Sequence, residues 1–143
     1  MLLIDPRQER RAITHRLIER CPDLTVAGVA STLDEAVAQL TGGGADIALV
    51  EIQMPVEQGL ATVAALRQRS AALRIIVCSF HQERATREAA ARCGADGYLT
   101  KPLHIASLLA LLGPTAEREG SATTGPEGGG PGDGAPAPDG PAA

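Results

Sequence analysis

Five short apolar runs alternate with five stretches of helical spacing along residues 1–113. Met1–Asp5 is apolar up to its final acid and reads as a strand. Residues 7–20 place Ala12, Ile13, Leu17 and Ile18 on one helical face, with Arg7, Arg10, Arg11 and Arg20 outside. Pro6 at or near the first turn is compatible with that helix start, and Cys21-Pro22-Asp23 ends it. Leu24–Ala30 is a second strand. Ser31 or Thr32 caps the next helix, which runs to about Leu40, with Asp34 and Glu35 favoured by its dipole. Asp46–Glu51 is apolar on both faces, as a buried parallel strand is. Glu57–Arg69 is a helix carrying Leu60, Val63, Ala64 and Leu66 inward, and Leu73–Ser79 is a fourth strand. An Ala-rich helix over Gln82–Cys93 stops at Gly94. A short strand over Gly97–Thr100 leads through Lys101-Pro102 into a last helix, His104–Leu112, closed by Gly113.

Strand followed by helix, five times over, predicts an α/β domain: a doubly wound five-stranded parallel sheet with right-handed crossovers and helices on both faces. In such sheets ligands sit at the carboxyl ends of the strands. The residues expected at that edge form a small polar set: Asp5 ends the first strand, Glu51 the third and Ser79 the fourth, while Tyr98 lies in the fifth and Lys101 follows it. Lys101 is the only lysine among thirteen basic residues, and Tyr98 the only tyrosine. Arginine serves wherever a generic cation will do, so a single ammonium at a strand end points to a geometric role.

Gly42-Gly43-Gly44 invites a phosphate-loop reading. It follows a helix and precedes a strand, the reverse of such a loop, and no GKS or GKT follows, so it is a connector. From Pro114 the composition changes. Residues 114–143 are rich in Gly, Pro and Ala and carry five acids against Arg118, so the net charge of −4 resides there, and 1–113 is neutral. Such a segment buries too little surface to offset its ordering entropy, and a disordered tail is expected. A neutral domain without a basic stripe argues against direct nucleic-acid binding. Cys21, Cys78 and Cys93 lack metal-ligand spacing and read as reduced thiols. No apolar run is long enough to span a bilayer, and residues 1–5 begin a strand without a basic leader, so a cytoplasmic protein without membrane contact is expected.

The motifs Leu-Ile-Asp at 3–5, Ala-Leu-Val-Glu-Ile-Gln-Met-Pro at 48–55 with Gly59, then Ser79 and the run Gly94–Pro102 (GADGYLTKP) resemble the receiver domain of bacterial two-component response regulators. Pro22-Asp23-Leu24 with Val26 and Gly28 resembles receivers joined to helix-turn-helix output domains, although residues 114–143 carry no helix-turn-helix pattern. The resemblance implies a flavodoxin-like fold with strand order 2-1-3-4-5. It implies a pocket in which a phospho-accepting aspartate and Mg²⁺ lie at the end of the third strand. Ser79 then contacts the phosphoryl group, Lys101 pairs with it, Tyr98 is the aromatic switch, and Lys101-Pro102 is cis. Met54 packs at the pocket rim.

Two departures bear on mechanism. The acceptor position holds Glu51, and the acidic pair after the first strand is Asp5-Pro6. Mg²⁺ prefers an octahedron of oxygens, so a site of Asp5 and Glu51 alone is weak or absent. A carboxylate one methylene longer is misplaced for in-line attack. The same length lets Glu51 pair with Lys101 without phosphate, a partial mimic of the modified state. The expected function is therefore an atypical, non-enzymatic receiver, a pseudo-receiver acting by protein contact through the fourth helix, fifth strand and fifth helix, about residues 83–112. Its partner would be a histidine kinase or an output protein, and a homodimer stays open. Arg84, Arg87 and Arg92 either face an acidic partner or pair along their own helix as Glu83–Arg87 and Glu88–Arg92. The alternatives are a conventional phospho-accepting, Mg²⁺-dependent receiver and, from another class, a flavodoxin-like enzyme or cofactor binder. The last lacks any GxGxxG, cobalamin signature or aromatic pair for a flavin.

Overall fold

The computed structural model describes residues 1–53 and 55–113; Met54, expected at the pocket rim, and the tail 114–143 lie outside the described residues. The elements run β1 (Leu2–Ile4), α1 (Gln8–Glu19), β2 (Gly28–Ala30), α2 (Leu33–Thr41), β3 (Ile47–Ile52), α3 (Val56–Arg69), β4 (Arg74–Ser79), α4 (Arg84–Cys93), β5 (Gly97–Thr100) and α5 (Ile105–Leu112). All strand pairings are parallel, and the order is β2-β1-β3-β4-β5, the flavodoxin-like arrangement expected.

Alternate residues of a strand point to opposite faces. One face carries Leu2, Ile4, Val50, Ile52, Ile75 and Val77, packed with Ala36 of α2, Val63 and Leu66 of α3 and Ala90 of α4. The other carries Leu3, Asp5, Leu49, Glu51 and Cys78, which line a cavity with Arg11 and Thr14 of α1. The sheet is thus covered on both sides, which is why its central strands are mostly apolar.

Two glycines are required by close approach or backbone conformation. A Cβ on Gly59 would stand 2.6 Å from Ile52 Cγ1, so its absence lets α3 lie against β3. Gly94 caps α4 at φ +118°, the left-handed conformation that favours glycine. Thr32 caps α2 by accepting the Glu35 N–H at 3.2 Å, while Glu35 accepts the N–H of Ser31, the residue before the cap, at 2.7 Å and its hydroxyl at 2.9 Å.

Three local expectations change. The second strand is Gly28–Ala30 rather than Leu24–Ala30, because its register begins at Leu2↔Gly28; Leu24 is buried through a turn in which its N–H donates to the Cys21 carbonyl. Ile13, expected inward, is 65% exposed. Arg10 and Arg11, expected outside, are half-buried and reach back over the sheet edge. Pro6 stands just before the α1 cap, Arg7, near the first turn as expected.

Candidate functional site at the carboxyl edge of the sheet

β3 delivers Glu51 one residue before its end, in register with Cys78 of β4. Because β3 is flanked by β1 and β4, the side chain emerges from the middle of the sheet and is only 7% exposed. β5 ends at Thr100, and the Lys101 N–H donates to the Ser79 carbonyl at 2.8 Å, which fixes the lysine beside β4. The Lys101–Pro102 bond is cis, as the resemblance implied. From there Lys101 Nζ reaches Glu51 Oε1 at 2.5 Å, with both side chains largely removed from water. The Glu51–Lys101 pair expected from the sequence is formed.

The second Glu51 oxygen, Oε2, accepts from Arg10 Nη1 at 3.4 Å. Burial pushes the Glu51 carboxyl above its ordinary pKa; Lys101 draws it back, Asp5 adds to the rise, and Arg10 opposes it. Cys78 shares this surrounding, and burial pushes its thiol up to about 12, so it stays a protonated, unreactive wall of the pocket.

Asp5 is buried beside the pair. Its Oδ1 accepts from the Arg7 N–H at 2.9 Å and from Gln53 Nε2 at 3.0 Å, while its carbonyl accepts from Arg11 Nη1 at 2.7 Å. Gln53 Oε1 accepts in turn from Arg7 Nε at 3.1 Å. Ser79 is fully buried, and its hydroxyl is committed elsewhere. It donates to the Ile52 carbonyl at 2.8 Å and accepts the His81 N–H at 3.0 Å, tying the ends of β3 and β4 together rather than contacting Glu51. Tyr98 is half-buried; its hydroxyl donates to the His81 carbonyl at 2.5 Å and Arg87 stacks over its ring at 4.7 Å. Desolvation raises the phenol pKa. Arg87 therefore serves Tyr98 rather than Glu83, and Glu88 pairs with Arg84 at 2.7 Å rather than with Arg92.

Arg10, Gln53 and Phe80 belong to this cluster, and sequence reading did not single them out for it. Arg10 lay on a face expected to be solvated. Its spacing with Arg7, Arg11 and Thr14 is the signal, a polar stripe at the start of a helix whose N-terminus follows Asp5. Phe80, the only phenylalanine, stands directly after Ser79 and is 58% exposed, with Arg10 at 5.5 Å and Lys101 at 5.6 Å from its ring centre.

The donor set is a poor match for a divalent ion. Two carboxylates reach the pocket, and among the described residues no group of three or more His, Cys, Asp or Glu gathers to hold a metal. Both Glu51 oxygens meet cationic groups, and Asp5 Oδ1 already accepts two donors. Each oxygen of the Glu51 carboxylate is thus held by a cation, one by an ammonium and the other by a guanidinium.

The family model of the response regulator receiver domain matches residues 1–113. The chain belongs to that family. It is a receiver domain of the two-component systems. The nitrate/nitrite response regulator protein NarL of Escherichia coli is 34% identical over 119 residues, which cover 83% of this chain and 55% of NarL. The chain therefore spans little more than half the length of that relative. The chemotaxis protein CheY of Halobacterium salinarum is 27% identical over 109 residues, covering 76% of this chain and 89% of CheY. Among solved structures, a LuxR-family two-component response regulator from Aurantimonas sp. superposes with a TM-score of 0.70 at 30% identity, covering 83% of this chain and 84% of that one. A response regulator from Burkholderia pseudomallei, solved with a phosphorylated aspartic acid, a calcium ion and citrate, gives a TM-score of 0.66 at 29% identity, covering 85% of this chain and 70% of that one. Among the described residues, no helix is long and apolar enough to cross a membrane.

Proposed function

We propose that residues 1–113 form an atypical receiver that holds one signalling state rather than cycling between two, with residues 114–143 a separate tail. The observation that carries this reading is the 2.5 Å contact between Glu51 Oε1 and Lys101 Nζ, with both side chains largely removed from water. In a receiver that cycles, the lysine opposes a phosphoryl group added to the acceptor. Here Glu51 stands at the acceptor position and its own longer side chain brings the charge to the lysine. One negative charge replaces about two, so the substitution is partial.

Ser79 and Tyr98 fit the roles of phosphoryl contact and switch in position only. With the serine hydroxyl given to Ile52 and the tyrosine hydroxyl to the His81 carbonyl, both are held by main-chain acceptors. The protein works by contact, without turnover of its own and with at most a weak hold on Mg²⁺. Its partner is a kinase or output protein of the cytoplasm that meets α4 and β5. Arg92 is exposed on α4 for that contact, whereas Arg84 is paired with Glu88 along the helix and Arg87 is stacked on Tyr98 and would report its position.

Partner capture with wild type and with Glu51→Gln, Glu51→Ala and Glu51→Asp tests this. Binding lost in Gln and Ala supports the reading; wild-type binding in both reduces the carboxylate to a structural role. Treatment with acetyl phosphate and Mg²⁺ followed by mass spectrometry tests the conventional alternative. A phosphoryl adduct on Glu51 would establish a cycling receiver.

A further inference from the structure

Helix α1 starts with cations. Its cap is Arg7, and Arg10 and Arg11 stand in its first turn beside a single acid, Glu9. The helix dipole disfavours positive charge at that end. Each of these arginines faces the carboxyl edge of the sheet. Arg7 holds Asp5 and Gln53, Arg11 holds the Asp5 carbonyl, and Arg10 reaches Glu51. Pro6, beside them, supplies no ligand.

We propose that Arg10 is the pocket's resident cation, standing on the carboxylate that a divalent metal would otherwise share, and that Phe80 is the ring holding it there. The juxtaposition is specific. Arg10 and Lys101 engage opposite oxygens of one carboxylate, and the same two cations lie 5.5 and 5.6 Å from one ring centre. A phenylalanine more than half exposed gains little by burial, and its contact with two cations gives it a role. The guanidinium neutralises Glu51 from the α1 side and repels a second cation at the same place.

This deepens the fixed-state reading of Glu51, and the two stand or fall on different measurements. The test is Mn²⁺ binding to the full chain, followed by electron paramagnetic resonance of the free ion, with circular dichroism confirming the fold of each variant. Arg10→Ala is expected to bind Mn²⁺ about tenfold more tightly than wild type, the effect of removing one partly screened charge from the site. Arg10→Gln, uncharged and close in length, should give the same gain and serves if Arg10→Ala does not fold. Arg10→Lys, which keeps the charge, should stay at the wild-type value. Phe80→Ala should give an intermediate gain of about two- to fivefold, the worth of one exposed cation–π contact. Affinities for Arg10→Ala and Arg10→Gln no tighter than wild type would overturn the assignment. A phosphoryl adduct on Glu51 would overturn the fixed-state reading and leave this metal comparison standing.

Discussion

Two charged clusters sit at opposite edges of the same sheet and are built on different principles. At the amino edge, Arg67 near the end of α3 spends its guanidinium on main chain. It donates to the carbonyls of Ser70, Ala71 and Leu73 at 2.7–3.0 Å, to Gly94 at 2.9 and 3.1 Å, and to Asp96 Oδ2 at 2.7 Å. Asp96 Oδ2 also accepts the Ile75 N–H at 2.8 Å. One side chain thereby fastens the loops entering β4 and β5. At the carboxyl edge the centre of the cluster is an anion, Glu51, surrounded by side-chain cations and bordered by a small cavity. Carbonyl acceptors do not titrate, and a fork of five N–H donors satisfies several of them in a fixed geometry. A buried carboxylate does titrate, and its partners are flexible side chains. The first arrangement suits permanent structure; the second can be altered by a proton, a metal or a mutation.

The largest effect should come from the amino edge. Arg67→Ala leaves the carbonyls of two loops without their side-chain donor and Asp96 without its cation, and about 3 kcal/mol of stability should be lost. Urea denaturation at neutral pH measures it. Arg67→Lys should recover little, since an ammonium cannot replace the fork. A loss well under 1 kcal/mol for Arg67→Ala would show that the loops close without the arginine, and the contrast between the edges would disappear.

Lys101→Met comes next. It leaves Glu51 buried with Arg10 as its nearest cation, and the expected cost at neutral pH is about 2 kcal/mol. That cost should shrink on acidification. With the lysine gone the carboxyl pKa rises further, so a proton can take the lysine's place. Arg67→Ala should show a smaller recovery, because four of its acceptors are main-chain carbonyls, which take up no proton, and its one carboxylate partner, Asp96, keeps the Ile75 N–H. Denaturation curves for both variants at neutral and mildly acidic pH separate the two edges directly.

Much of the carboxyl edge was legible in the sequence, and the amino edge was not. Apolar runs ending in Asp5, Glu51 and Ser79 announce strand ends, and a solitary lysine before a proline announces its own importance. Arg67 carries no such mark, since a basic residue in the last turn of a helix is what the dipole favours anyway. Its role depends on two loops that meet only when the sheet has formed. Arg10 was misread for a related reason: helical spacing shows which face a residue lies on, while the reach of a long side chain over a helix terminus is set by tertiary contact. The shortened β2 follows the same rule, because strand length depends on where the register with β1 begins.

The smallest effect, and the sharpest in sign, belongs to Glu51→Gln. The folded carboxyl keeps its proton to a higher pH than the ordinary 4.5 of an unfolded chain, with burial as the main cause. Folding therefore takes up a proton between the two values. The stability linked to that proton is full below 4.5 and is lost as pH rises through the folded value. At neutral pH the charged residue has lost that contribution and bears its desolvation, offset by Lys101 and Arg10. Glutamine avoids the charge but leaves the lysine without its anion, so the net change there should stay within about 1 kcal/mol. On acidification the wild type should gain stability relative to Glu51→Gln, because glutamine has no proton to take up. The opposite slope would mean that the ion pair outweighs burial and that the folded carboxyl lies below its ordinary value. Glu51 would then resemble Arg67 more closely, a fastening rather than a group held against its own desolvation.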